Sequence, residues 1–588
     1  MMQSPASQSG TSIMFIEGCL TAIAVVLAFC LPRFGSAWFS RVEIAFARLA
    51  RRKGLSVIVV GLAAPLLRLA ILPVCPVPHP FSPDDFSFLL AADTFASGRL
   101  TNPTPAMWTH LEAIHITMKP TYMTMYFPAQ GLVLAAGQAL TGHLWYGLLA
   151  VTALMCAAIC WMLQAWLPPP WALLGGLLAI LRIGLFSYWI NSYSGAGSIA
   201  ALGGALVFGG LPRFLKTPRL RYGLLMAAGA VILGICRPYD GLLLCFPVVV
   251  VLVRWAFFGE NRPTAAALVR LTALPLALIV SAVAWMGYYN YRAFGSPLTP
   301  PYTLDRAQYA VAPYFIWQSQ RTGIVYRHAL MREFYCKAEL PNYTDIHSVS
   351  GFVPQTILKV ARGVVFYAGI ALLLPLIMLR RLFLDRRIRF LLWCIAVLAI
   401  GQSIEIYLIP HYLAPFTAAF YVIGLQAMRH LRVWRPEGQP VGRTLVRLTV
   451  TVCVVMGGMR LLAAPLHLHL AVWPAAGVSG WIGPSSLSGA KRAKVETRLE
   501  QIPGKQLAIV RYSPTHDSRD EWVYNSADVD RSKIVWAWDM GEAGNRELID
   551  YYKDRTVWLV EPDTEPATVS PYMDRKRGSP EIAVLPAR

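Results

Sequence analysis

Two adjacent carboxylates, Asp84 and Asp85, are the residues of this chain best suited to catalysis. They stand in the segment PDDFS at 83–87, which follows a long apolar stretch. A carboxylate at a membrane surface stays in contact with water, so its charge costs little there. Such a group can take a proton from a substrate hydroxyl within hydrogen-bond reach. The same residues also predict a structural role: Ser82 or Asp84 caps a helix over 85–97, whose first turn favours acidic side chains.

The segment 75–142 contains further side chains that can bind ligands or transfer protons. They are Trp108, His110, Glu112, His115, Lys119, Tyr122 and Tyr126. A connector rarely exceeds about 15 residues without a function of its own. The HxExxH pattern at 110–115 differs from the HExxH spacing of zinc sites, and on a helix its two histidines would lie roughly 140° apart. We therefore predict a surface or acceptor-contact role for His110 and Glu112; a divalent metal stays possible, and no other cofactor is indicated.

The composition indicates a membrane protein. Of 588 residues, 56% are hydrophobic and 14% are charged, and the mean hydropathy is +0.47. Soluble domains contain roughly a quarter charged residues. The net charge of +21 does not predict nucleic-acid binding, because the basic residues occupy short loops between apolar stretches, as the positive-inside rule requires.

About twelve apolar stretches approach the roughly 20 residues needed to cross a bilayer. They are 12–32, 55–74, 143–166, 171–190, 196–211, 222–238, 241–258, 266–290, 359–379, 390–409, 412–429 and 448–467. Alternate loops are rich in Arg and Lys, which makes their side cytoplasmic. We predict a multi-pass protein of a bacterial inner membrane with both termini in the periplasm. The first stretch lacks a basic n-region and an obvious cleavage site, so a retained helix is expected.

The expected fold is an all-α polytopic membrane protein with a small C-terminal extramembrane α/β domain. Residues 1–54 supply an extra membrane helix and a basic cytoplasmic segment, and 55–467 the membrane domain with external loops 75–142 and 291–358. In the periplasmic part, 468–588, helices are predicted at 490–501 and 545–553, and strands at 506–512, 533–538 and 555–560. Cys75 and Cys336 lie in the two loops, either free or as a disulfide.

The acidic pair resembles the Asp-Glu signature of the C-type (GT-C) membrane glycosyltransferases, which include protein O-mannosyltransferases and the aminoarabinose transferases of lipid A. In that family the first acid, matched here by Asp84, is the catalytic carboxylate; Asp85 stands where the second is usually Glu. Lys119-Pro120, followed by Tyr122, is similar to the Lys-Pro stretch of the aminoarabinose transferases, whose lysine contacts the donor phosphate.

Two other segments extend the resemblance. Residues 128–140 resemble the juxtamembrane helix of that family, and PHYLAP at 410–415 stands where many members have Arg-Tyr followed by Pro. Tyr412 keeps the tyrosine, whereas His411 replaces the arginine, which weakens a phosphate contact there. The resemblance covers 55–467 in topology and does not extend to the first helix or the α/β tail.

These residues predict a glycosyltransferase, hexosyl or pentosyl, that uses a polyprenyl-phosphate sugar. The departing lipid phosphate needs positive charge, which Lys119 and Arg237 can supply. Asp84, or failing it Asp85, removes the proton of the acceptor hydroxyl. Tyr122, His411 and Tyr412 join the predicted substrate-binding residues. The acceptor is a lipid, a glycan or a protein on the periplasmic face, membrane lipids surround the chain, and no nucleic acid is expected.

Other interpretations stay open. Arg237 can instead form a structural ion pair with Asp240 in the same turn. A lipid-linked sugar transporter or flippase would place ionisable residues along a path through the bilayer, whereas here the polar residues concentrate on one face. A non-catalytic membrane assembly protein, which recruits partners through its tail, should tolerate substitution of Asp84.

Overall fold

The computed structural model describes residues 13–259, 262–463, 466, 468 and 487–572. Within these residues, seven helices are long and apolar enough to cross a membrane, and a bent pair, Ser350–Tyr367 and Ala371–Leu384, adds an eighth if it counts as one span. Shorter apolar helices at Pro169–Gly184, Leu220–Gly234 and Arg389–Ile404 coincide with three further predicted stretches. The chain is a predominantly helical multi-pass membrane protein, and the count of twelve spans stays a prediction.

The elements before the second external loop are α1 Ile13–Cys30, α2 Ser36–Arg51, α3 Lys53–Ala70, α4 Pro83–Ala96, β1 Ile116–Thr117, β2 Met123–Thr124, α5 Ala129–Thr141, α6 Trp145–Trp166, α7 Pro169–Ala179, α8 Tyr188–Asn191, α9 Gly197–Lys216, α10 Leu220–Gly234, α11 Pro238–Val253 and α12 Ala265–Phe294. They are followed by α13 Pro301–Tyr309, α14 Ala329–Glu333, α15 Leu340–His347, α16 Val349–Tyr367, α17 Leu379–Leu384, α18 Arg389–Ile404, α19 Thr417–Arg432 and α20 Val441–Leu461. One large apolar core joins the membrane helices.

Helix α4 carries the acidic pair, and its first turn explains why it forms there. Ser82 is the N-cap: its hydroxyl accepts from the backbone N–H of Asp85, whose carboxylate accepts from the backbone N–H of Ser82. Pro83 occupies the first helical position, where a missing N–H is harmless. This reciprocal capping box makes the helix start at Pro83, two residues before the predicted start.

The basic segment after α1 contains a helix, α2, that hydropathy alone did not indicate. Trp38, Val42 and Ile44 are exposed on it, and Arg48 and Arg51 lie in its last turn. Helices that combine exposed apolar side chains with cationic ones can lie parallel to a membrane surface, at the level of the lipid headgroups. Glu43 fixes this helix to the membrane domain through Arg432 and Arg447.

The C-terminal region contains the predicted sheet. Its elements are α21 Leu487–Gln501, β3 Lys505–Val510, β4 Ile534–Trp538, α22 Gly541–Tyr551, β5 Arg555–Glu561 and β6 Thr568–Pro571. The strand order is β4-β3-β5-β6, with parallel pairs except for the antiparallel β6. The two helices and three strands predicted from the sequence are present, and β6 is an addition.

This C-terminal region packs on α4. The ring of Tyr524 stacks on Phe86 with centroids 4.7 Å apart, and the N–H of Ala527 donates to the carboxylate of Asp93 at 2.6 Å. The backbone N–H of Glu521 donates to the carbonyl of Phe81, just before the helix, at 2.9 Å. The region therefore fixes the helix that carries the acidic pair.

Candidate active site

Asp84 is held through one of its two carboxylate oxygens. Its Oδ1 accepts a hydrogen bond from Nδ1 of His115 at 2.6 Å and another from the hydroxyl of Tyr126. Its Oδ2 has no partner among the described residues, and the side chain keeps a third of its surface exposed. One oxygen thus fixes the orientation of the group, while the other is free for a substrate.

Asp84 is also held in its ionised form. Burial would raise the pKa of the carboxyl, but the charge and hydrogen bond of His115 and the hydrogen bond of Tyr126 outweigh burial and lower it. The charge of Asp84 raises the pKa of His115 despite the opposing effect of burial. Burial and the same negative charge raise the pKa of Tyr126, which keeps that phenol a donor.

His115 is set by its backbone as well as by its side chain. Its φ of 64° lies in the left-handed region, which residues other than glycine seldom adopt. The hydroxyl of Ser87, one turn beyond Asp84 on α4, donates to the carbonyl of His115 at 2.6 Å. Residues three apart share a helix face, so Asp84 and Ser87 on one face of α4 bind the imidazole and the backbone carbonyl of His115, respectively. Such local strain is typical of functional sites.

Asp85 is fully engaged by the protein. Its Oδ2 accepts from the backbone N–H groups of Phe81 and Ser82 and from the Ser82 hydroxyl. Its Oδ1 accepts from the Ser192 hydroxyl at 2.6 Å and from the N–H of Tyr193 at 2.9 Å. Only 1% of the residue is exposed, and burial raises its pKa against these hydrogen bonds. Both oxygens therefore have donors within the protein, and the catalytic role of Asp85 stays a prediction.

The turn that binds Asp85 also packs closely against His411. Gly195 in this turn has φ +87°, and a Cβ built there would lie 2.9 Å from Nδ1 of His411. The Tyr188 hydroxyl meets that nitrogen at 2.7 Å and accepts from the His411 backbone N–H at 3.0 Å. Burial and the charge of Arg237 lower the pKa of His411 well below its usual value, so this side chain is neutral and supplies no positive charge.

Arg237 and its partners form a second polar group, the Arg237 cluster (Arg237, Asp240, Gln402 and Glu405). Nε of Arg237 donates to Asp240 at 2.6 Å, and the guanidinium lies 4.0 Å from the ring centroid of Tyr412. Gln402 donates to Asp240 at 2.9 Å and to Glu405 at 3.2 Å. The ion pair with Asp240 forms, and among the described residues the two terminal nitrogens of Arg237 have no acceptor.

Tyr302, from the second external loop, packs against the residues around Asp84. Its ring meets those of Tyr126 and Phe127 with centroids 5.6 and 5.4 Å apart. The charges of both Arg237 and Asp84 act on its hydroxyl. The region around Tyr302 is therefore lined by aromatic rings and subject to the charges of both Asp84 and Arg237.

Asp305, on α13, is a buried acid next to this region. It is fully buried, and neither carboxylate oxygen has a hydrogen-bond partner among the described residues. Burial raises its pKa to about 6, although the charges of His115 and Arg306 oppose the shift. Nε2 of His115 is likewise buried without a partner in that part of the chain. Asp305 could not be singled out from the sequence, because an acid in a loop is ordinarily solvated.

Lys119 and Tyr122 lie apart from this region. The ammonium of Lys119 is 4.3 Å from the ring centroid of Trp108, and the residue is exposed. The hydroxyl of Tyr122 donates to the carbonyl of Asn525 at 2.8 Å, inside the contact with the C-terminal region. Their substrate-binding roles stay predictions, without support from a contact to the Asp84 group.

His110 and Glu112 also serve contacts between external segments. Nε2 of His110 meets the carbonyl of Gly544 at 3.1 Å. The carboxylate of Glu112 accepts from Tyr309 at 3.1 Å and from Arg327 at 3.2 Å. The structure does not bring these two residues to Asp84, and their predicted contact with an acceptor stays untested.

Three residues for which the sequence predicts no specific role have defined places in the structure. His115 and Tyr126 hold Asp84, and Lys359 lies beside the Arg237 cluster. In the structure Lys359 is buried and donates to the carbonyls of Gln402 and Glu405. The position of this lysine at the start of the apolar stretch 359–379 was the only sequence feature that could have indicated a buried cation.

Across the described residues there is no group of three or more His, Cys, Asp or Glu side chains arranged to hold a metal ion. Cys75 and Cys336 are both free; the thiol of Cys75 lies 3.6 Å from Oδ1 of Asn191.

No family model matches the chain, and no curated protein matches it. Similar solved structures include apo ArnT from Cupriavidus metallidurans, with 13% identity, TM-score 0.46 and coverage of 90% of this chain and 93% of ArnT. The oligosaccharyltransferase of Archaeoglobus fulgidus in its apo form has 11% identity, TM-score 0.43 and coverage of 86% and 69%. At these scores the function depends on the geometry of the site itself.

Proposed function

We propose that the protein is a membrane glycosyltransferase that moves a sugar from a polyprenyl-phosphate donor to an acceptor hydroxyl on the periplasmic face. The observation that carries this proposal is the asymmetry of the acidic pair. Asp84 has one oxygen fixed and one free, whereas both oxygens of Asp85 are occupied. A fixed, ionised carboxylate with an open oxygen suits a general base.

The reaction is a single displacement at the anomeric carbon. The acceptor oxygen forms the new bond to that carbon, and the bond from the carbon to the phosphate oxygen breaks. The lipid phosphate leaves with the bonding electrons, and the acceptor proton passes to Oδ2 of Asp84. One base and one cationic group suffice for this reaction, which inverts the configuration at the anomeric carbon.

A low pKa does not exclude Asp84 from this role. The acceptor hydroxyl becomes far more acidic as its oxygen bonds to the sugar, so an ordinary carboxylate can take the proton late in the step. The lowered pKa keeps Asp84 ionised at neutral pH. His115 and Tyr126 restrict its rotation, which preserves the position that proton transfer requires.

Arg237 is the proposed partner of the departing phosphate. Its terminal nitrogens lack protein acceptors among the described residues, and its Nε is fixed by Asp240 at 2.6 Å. A guanidinium held in this way can form charge-assisted hydrogen bonds to two phosphate oxygens. The ring of Tyr412, 4.0 Å from the guanidinium, helps to hold it in position through a cation–π contact. Neutral His411 is proposed to contact the sugar or the acceptor rather than the phosphate.

A transporter is less well supported. Two of the ionisable residues within apolar stretches are bound by the protein itself. Arg68 donates to the carbonyls of Cys75 and Pro76 and to Asn191, and Arg182 donates to the carbonyls of Val365 and Phe366. Neither guanidinium is arranged to line a path for a sugar.

The test is release of polyprenyl phosphate by the purified full-length protein. It is incubated with a panel of polyprenyl-phosphate sugars and a membrane extract as the acceptor pool, and the lipid product is followed by mass spectrometry. Release by the wild type and not by Asp84→Asn supports the proposal. Equal release by both removes Asp84 as the base, and release from no donor directs attention to transport in liposomes.

A further inference from the structure

A basic cavity lies at the opposite end of the membrane helices from Asp84. Its volume is about 640 Å³, within the size range of small-molecule sites. Ten residues line it: Trp171, Arg381, Leu384, Asp385, Arg387, Gln426, Arg429, His430, Arg432 and Val433. We call it the arginine cavity.

Two helices separate the arginine cavity from the active site. Helix α18 begins at Arg389, beside the cavity, and ends next to Glu405 of the Arg237 cluster. Helix α19 begins six residues after His411 and ends at Arg432, in the cavity lining. Each contains 16 residues, so each spans about 24 Å at 1.5 Å per residue. The cavity therefore lies near the opposite membrane surface, which its arginines mark as cytoplasmic.

The positive charge of the cavity is only partly neutralised. Arg432 is paired with Glu43 at 2.9 Å. Asp385 accepts from Gln426 and lies 3.1 Å from Nε2 of His430. By contrast, Arg381, Arg387 and Arg429 form no ion pair in the part of the chain that the structure describes.

Two of the unpaired arginines repel each other. The charge of Arg387 acts unfavourably on Arg429, which is partly withdrawn from water, while Asp385 offsets part of this effect. Gln426 accepts a single hydrogen bond from Arg429, at 2.6 Å. Neighbouring guanidinium groups without a carboxylate partner are stabilised by a bound anion, and phosphate accepts from several of their N–H groups at once.

The rim of the cavity favours a lipid over a soluble anion. Leu384 and Val433 are about two-thirds exposed, and Trp171 joins them in the lining. Helix α2, with its exposed apolar side chains, is fixed to the cavity residue Arg432 through Glu43. Apolar side chains beside arginines at a membrane surface can contact acyl chains while the arginines hold the headgroup.

We propose that the arginine cavity binds the phosphodiester headgroup of an anionic phospholipid at the cytoplasmic face. Arg387 and Arg429 hold the phosphate, and Leu384, Val433 and Trp171 contact the glycerol and the first part of the acyl chains. The site is separate from the active site, and its occupancy does not depend on the reaction catalysed there.

Native mass spectrometry of the full-length protein tests this proposal. The protein is delipidated in detergent and titrated with phosphatidylglycerol, with phosphatidylcholine, and with inorganic phosphate alone. We expect the wild type to retain phosphatidylglycerol. The Arg387→Gln/Arg429→Gln variant should bind it about 30-fold more weakly, at roughly fivefold for each charge lost.

Matched variants separate this effect from general loss of charge or fold. Arg435 and Arg443 are exposed basic residues of the same face outside the cavity lining, so Arg435→Gln/Arg443→Gln should bind like the wild type. Arg387→Lys/Arg429→Lys keeps the charges and should restore most of the binding. Equal retention by the wild type and the Arg387→Gln/Arg429→Gln variant would overturn the proposal. Equal affinity for phosphatidylcholine, or saturation by inorganic phosphate that excludes the lipid, would overturn it as well.

Discussion

Replacing Asp84 by Asn should remove activity while the protein stays folded. The side chain is a third exposed and accepts two hydrogen bonds, both through Oδ1. Asn keeps a neutral oxygen acceptor there, so the loss is confined to the charge-assisted part of these bonds, about 1–2 kcal/mol of folding free energy. Loss of a general base lowers turnover by about 10²–10⁴-fold, or roughly 3–5 kcal/mol in the barrier.

Asp85→Asn is the matched comparison, because the two residues are adjacent and the chemical change is identical. Asp85 is buried and its carboxylate accepts five hydrogen bonds, among them the one from the backbone N–H of Ser82 in the capping box. An amide NH₂ in place of either oxygen would face N–H or O–H donors, which costs about 2–4 kcal/mol of folding free energy. We expect a lower melting temperature, with activity falling in proportion to the folded fraction.

The two variants and the wild type are compared by polyprenyl phosphate release, thermal unfolding and size-exclusion profile. The expected pattern is a folded, inactive Asp84→Asn protein and a destabilised, still catalytic Asp85→Asn protein. An active Asp84→Asn protein together with a well-folded but inactive Asp85→Asn protein would refute the division of roles drawn from their hydrogen bonds.

Four other changes test neighbouring features. His115→Gln removes the imidazolium that lowers the pKa of Asp84, so the acid limb of the rate profile should move to higher pH; an unmoved limb would contradict this. Arg237→Gln together with Asp240→Asn avoids leaving a buried unpaired charge and should fold, yet turnover measured by lipid release should fall at least about 100-fold. Because burial raises the pKa of Asp305 from 3.8 to about 6, its ionisation begins to destabilise the fold near pH 4 and costs about 3 kcal/mol above pH 6; Asp305→Asn should therefore gain about 3 kcal/mol in unfolding experiments at pH 7.5 and almost nothing at pH 3. Phe86→Ala removes the ring that stacks on the C-terminal region and should increase hydrogen exchange in α4, whereas unchanged exchange would show that this contact does not fix the helix.

The sequence predicted the helix that carries the acidic pair better than the roles of the two carboxylates. Ser82 and the acidic pair identify the start of α4, because capping depends on residues three apart. The choice between Asp84 and Asp85 depends on partners far along the chain: His115 is 31 residues from Asp84, and Ser192 is 107 residues from Asp85. No local pattern encodes such contacts.

Other differences have physical causes of the same kind. Helix α2 was missed because its charged residues interrupt the apolar stretch that a hydropathy search detects. Strand β6 was missed because Thr568–Pro571 is only partly buried and ends in proline, which weakens the alternating signal. The phosphate contact of Lys119 was predicted from its motif alone and stays a prediction; the position of its ammonium over Trp108 is a contact that short motifs do not reveal.

Three distant parts of the chain position Asp84, the proposed base. The loop after α4 supplies His115 and Tyr126, which hold Asp84 from one side. The turn after α8 supplies Ser192, which holds the neighbouring Asp85. The C-terminal region packs on the same helix through Tyr524. Since none of the three needs to touch substrate, a substitution in any of them can lower turnover by moving Asp84, because small displacements of a base are costly. The C-terminal region can therefore be required for activity without having a catalytic residue of its own.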